Sequence, residues 1–70
     1  EVRGITEFEW DSLVIQSKLP VMVMFTAPDC IRCRKMDTIL NRFDSDYKNK
    51  FKFYTINFFE ESTISDIYYS

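Results

Sequence analysis

Residues 20–36 read P-V-M-V-M-F-T-A-P-D-C-I-R-C-R-K-M. The apolar run Val21–Phe25 leads into a break at Thr26–Asp29, then two cysteines separated by two residues, then a basic segment. This is the pattern of a strand, a loop and a helix, with Cys30 and Cys33 at the junction. A helix N-terminus carries unpaired N–H groups and a partial positive charge of roughly half an elementary charge. A thiol placed there is more acidic, because its thiolate is the form stabilised. Arg32, Arg34 and Lys35 add positive charge, opposed by Asp29 and Asp37. The junction therefore favours a reactive cysteine at Cys30.

The segments around the junction supply a scaffold for it. Val2–Ile5 suits a short edge strand. Thr6-Glu7-Phe8-Glu9 has the spacing of a capping box, and Ile5 and Trp10 stand where a hydrophobic staple would close across it. A helix is expected from about Glu7 to Lys18, buried along Trp10, Leu13 and Val14 and stopped by Pro20. Val21–Thr26 is apolar on both faces, as a strand between two helical layers requires. The second helix is expected from near Cys30 to about Tyr47. Its buried face would be Met36, Ile39, Leu40, Phe43 and Tyr47, at i, i+3, i+4, i+7 and i+11. Lys48–Lys50 reads as a turn and Phe51–Phe58 as a strand. A last helix starts at Glu60–Ser62, with Ile64, Ile67 and Tyr68 as its apolar stripe. The order β-α-β-α-β-α predicts an α/β fold with a mainly parallel sheet and right-handed crossovers.

Seventy residues make one domain at most, and a chain this short is marginally stable without a staple or a partner. Hydrophobic residues make up 46% of it, too many for a disordered segment. A net charge of −2 gives no electrostatic case for nucleic acid. No apolar run is long enough to span a bilayer, so no membrane role is expected. No signal-peptide pattern opens the sequence, although a targeting segment could have preceded Glu1.

Four chemistries compete for Cys30-Ile31-Arg32-Cys33. A structural zinc site normally takes four ligands, and the sequence has no further cysteine and no histidine. A purely structural disulfide would close so short a loop that it constrains little chain entropy. The pair could also be two packed, inert thiols. A dithiol–disulfide redox centre fits the context best, since the C-x-x-C follows a strand and opens a helix inside a βαβ pattern. Cys30 would then attack a substrate disulfide, and Cys33, one turn inward, would resolve the mixed disulfide. Arg32 and Arg34 could stabilise the Cys30 thiolate, or be simply solvated.

Trp10, Leu13-Val14, Pro20-Val21, Val23, Phe25, Ala27-Pro28, Cys30, Cys33-Arg34, Met36 and Ile56-Asn57 together resemble the thioredoxin family. The plastid and bacterial-type branch is the most similar, and the likeness covers nearly all of the chain. It implies the thioredoxin-like fold and protein-disulfide reductase activity, with Cys30 as nucleophile and Cys33 as resolving thiol. It further implies protein substrates with disulfides, a thioredoxin-reductase-type electron donor, no bound cofactor or metal, and a place in the chloroplast stroma or the cytoplasm.

Four positions depart from the family pattern. Asp29 stands where the family has tryptophan, and Ile31-Arg32 where it has Gly-Pro. Met24 replaces a buried acid, and Thr38 replaces the proline that kinks the second helix. The family also continues beyond its third helix with a cis-proline, two antiparallel strands and a final helix, for which residues 1–70 have no counterpart. The expectation is a single thioredoxin-like domain truncated at its C-terminus, with a sheet edge open to a covering partner. A non-catalytic binding module within a larger assembly is the rival to the oxidoreductase.

Overall fold

The computed structural model describes residues 2–68; Glu1, Tyr69 and Ser70, the last two being where the family resemblance runs out, lie outside the described residues. Three parallel strands form one sheet: β1 (Arg3–Ile5), β2 (Val21–Thr26) and β3 (Lys52–Asn57). Their spatial order is β1-β3-β2, so β3 is central and the chain crosses over twice. Helices α1 (Ile31–Asp46) and α2 (Ser62–Tyr68) complete the expected order, together with a short helical stretch between β1 and β2.

Strand alternation assigns the two sheet faces. The register pairs Ile5 and Phe25 with Ile56, and Val23 with Tyr54. These five residues share one face and pack with Trp10, Leu13, Val14 and Ile64 into the main core. Ile56 sits at its centre and is 1% exposed. Burying a side chain of this size contributes about 1.5–3 kcal/mol. Met22, Met24, Phe53 and Thr55 point the other way, toward α1. There Leu40 and Phe53 are buried, and the Phe43 and Phe53 rings lie 6.5 Å apart.

The stretch after β1 departs from a regular helix. Glu7–Glu9 form a 3₁₀ turn, and Asp11–Ile15 a wider π-type turn that ends at Gln16. The entry is as expected: the Thr6 amide donates to Glu9 Oε1 at 3.0 Å, and Ile5 and Trp10 meet in the core. The end comes earlier than Lys18. The Ser17 hydroxyl donates to the Leu19 carbonyl at 2.8 Å and accepts from the Leu19 amide at 3.2 Å. Such local bonds compete with helix continuation, and Pro20 disfavours helical geometry at the residue before it.

The apolar stripe of α1 is only partly covered, contrary to expectation. Leu40 is buried, whereas Met36, Ile39, Phe43 and Tyr47 remain 39–44% exposed. Among the described residues β2 pairs with β3 alone, so no strand lies beyond it to cover the outer part of the helix. β3 ends in a side-chain-directed turn: Asn57 Oδ1 accepts from the amides of Phe59 and Glu60, both at 2.9 Å. Ser65, 2% exposed, is satisfied by donating toward the Phe58 and Glu61 carbonyls at 3.0 Å.

Candidate functional site

Cys30 occupies the N-cap of α1, with extended backbone angles, and Cys33 lies in the first turn. An N-cap side chain normally presents an oxygen to the free amides of that turn. Here sulfur takes that place: the Cys33 N–H donates to Cys30 Sγ at 3.1 Å. The two cysteines form a disulfide across a Cα–Cα distance of 5.2 Å, within the ordinary range for such bonds. Both are half-buried.

The loop leading into the pair is held by an unusual residue. Asp29 has φ 61°, the sole non-glycine residue with positive φ among those described. Aspartate tolerates this left-handed region better than most side chains. The bend turns the chain out of β2 and sets Cys30 at the tip of α1.

Two clefts flank the disulfide. One, of about 200 Å³, is lined by Thr26, Ala27, Cys30, Cys33, Arg34, Asp37 and Thr55. The other, of about 280 Å³, is lined by Phe25, Thr26, Ala27, Cys30, Cys33 and Phe58. One wall of the pair is thus polar and charged, and the other largely apolar. Both arginines are exposed; Arg34 lines the polar cleft together with both cysteines, whereas Arg32 lines neither cleft. Among the described residues no group of three or more His, Cys, Asp or Glu is placed to hold a metal ion.

This geometry agrees with what the chain is similar to. The family model described as Thioredoxin matches residues 1–68. The chain belongs to the thioredoxin family. "Thioredoxin M4, chloroplastic" of Arabidopsis thaliana is 38% identical over 68 residues, covering 97% of this chain and 35% of that relative. "Thioredoxin M-type, chloroplastic" of Pisum sativum is 40% identical over 57 residues, covering 81% of this chain and 33% of that relative. The Spinacia oleracea protein of the same name is 31% identical over 68 residues, covering 97% and 38%. The chain therefore spans about a third of the length of these thioredoxins.

Within this thioredoxin-family domain the departing residues take definite positions. Met24 is half-buried on β2 opposite Thr55 of β3. Thr38 is exposed, and α1 runs through it over 16 residues. Sequence reasoning took Asp37 only as a charge opposing the basic residues near the pair, and it did not single out Thr55. Asp37 lies four residues after Cys33, a spacing that puts both on one helix face and could have found it. Thr55 reaches the site through strand register, for which the sequence holds no local signal. Among the described residues no helix is long and apolar enough to cross a membrane.

Proposed function

We propose that residues 1–70 form one thioredoxin-like domain and that it reduces protein disulfides through Cys30 and Cys33. The observation that carries this reading is the Cys33 amide directed at Cys30 Sγ in a pair already able to form a disulfide. In the reduced protein that amide stabilises a Cys30 thiolate over the thiol. The thiolate attacks one sulfur of a substrate disulfide; a Cys30–substrate bond forms and the other substrate sulfur leaves as a thiolate. Cys33 then attacks Cys30 Sγ, the Cys30–Cys33 bond forms, and the remaining substrate sulfur departs reduced. Two electrons pass from the dithiol to the substrate, and a thioredoxin-reductase-type donor returns them.

The chloroplastic names of the relatives support the chloroplast stroma over the cytoplasm as the place of action. Dithiothreitol-dependent precipitation of insulin by the full chain tests the activity. Turnover in the wild type and none in Cys30→Ser is expected; no turnover in the wild type overturns the reading.

A second reading is a non-catalytic thioredoxin-like module that binds a larger assembly. Asp29, Met24 and Thr38 favour it, as do the exposed apolar side chains Met22, Phe43 and Tyr47 beside the β2 edge. A partner supplying a strand to that edge would cover them.

A further inference from the structure

The amide that helps Cys30 gives no such help to Cys33. Once Cys30 is tied up in a mixed disulfide, Cys33 must itself lose a proton to attack, since the thiolate is the nucleophile. Its half-buried position disfavours the anion. A proton acceptor within reach of Cys33 is therefore the remaining chemical need of the site.

The two clefts that Cys33 lines differ in what they offer. The one bounded by Phe25 and Phe58 has no carboxylate in its lining. The polar one contains Asp37. Asp37 stands one helical turn beyond Cys33 on α1, and helical side chains lean toward the N-terminus, which carries its carboxylate back toward the Cys33 turn. The other charged group lining this cleft is Arg34, also from α1; β2 and β3 contribute only the hydroxyls of Thr26 and Thr55. The cleft is large enough for water, whose share of liquid volume is about 30 Å³ per molecule.

We propose that Asp37 is the proton acceptor for Cys33 in the resolving step, directly or through one water. The assignment rests on the disulfide-exchange reading above. The Cys33 S–H proton passes to the Asp37 carboxylate as Cys33 Sγ bonds to Cys30 Sγ. The Cys30–substrate S–S bond breaks, and the substrate sulfur leaves with the electron pair and takes the proton. Asp37 returns to its ionised form, so atoms and electrons balance without a further reactant.

The test is a stopped-flow reaction of the reduced full chain with dithiobis(nitrobenzoate), which releases one coloured thiolate at each step. With Asp37→Asn, the first release is not slowed, since removing a negative charge near Cys30 favours its thiolate. The second slows by at least about a hundredfold near neutral pH, the low end of what a general base contributes. It recovers toward wild type only at high pH, above the roughly 8.5 of an ordinary thiol, where the half-buried Cys33 ionises unaided. Asp37→Glu restores most of the second rate. A second release that is unaltered in Asp37→Asn, or slowed equally at every pH, overturns the assignment while leaving disulfide exchange standing. No first release from the wild type overturns the exchange reading, and the assignment with it.

Discussion

The backbone N–H of Cys33 donates to the Sγ of Cys30 at 3.1 Å, so a sulfur caps helix α1 where a serine or aspartate oxygen more often would. This contact gives the two thiols different work. In the reduced protein Cys30 should ionise below the range of a free cysteine, about 8.5. Its rate of alkylation by iodoacetamide, followed against pH, should turn over below that value. A turnover at or above it would mean that the capping contact is lost on reduction.

The two arginines near the pair should not contribute equally. Arg34 lines the polar cleft with both cysteines, and Arg32 does not. Arg34→Ala should therefore move the Cys30 alkylation midpoint upward by more than Arg32→Ala. At about 1 M salt, where the Debye length is near 3 Å, the difference should shrink. Equal effects would show that both charges act only through solvent.

The sequence made the frame of this site legible, and for identifiable reasons. Val21–Thr26 could be read as a strand because it is apolar on both faces and bounded by Pro20 and Pro28. Cys30 could be placed at the start of α1 because Pro28-Asp29 breaks the strand and a helical period follows. The exposure of Met36, Phe43 and Tyr47 could not be read, because periodicity identifies an apolar face but not whether anything covers it. The irregular turns of Glu7–Ile15 were hidden too, since their early end depends on how the Ser17 hydroxyl bonds around Leu19. Asp29 at φ 61° gave no glycine to mark its backbone.

Asp29 offers a separate check on the loop. A β-branched residue is far less tolerant of positive φ than aspartate. Asp29→Val should destabilise the domain by about 1–2 kcal/mol in urea unfolding, the cost of left-handed geometry for such a side chain. Asp29→Gly should not, because glycine adopts this region without steric cost. Equal stabilities for the two variants would mean that the loop relaxes to another conformation.

The β2 edge bears on association. Met22 is 50% exposed and Tyr47 44%, and β2 pairs on one side only among the described residues. Unpaired strand edges beside apolar side chains promote self-pairing. Residues 1–70 expressed alone should sediment as concentration-dependent oligomers, and Met22→Lys should shift them toward monomer. A stable monomer with a cooperative thermal transition would show that this face needs no cover.

The central claim is that Cys30 attacks and Cys33 resolves. Its most direct test is to mix the reduced Cys33→Ser full chain with a disulfide-bonded protein such as insulin and to map the adduct by mass spectrometry. The account predicts a persistent mixed disulfide through Cys30, and little or none at Cys33 when Cys30→Ser is treated in the same way. Failure to trap substrate on Cys30, or equal trapping on Cys33 in the reciprocal variant, would contradict it.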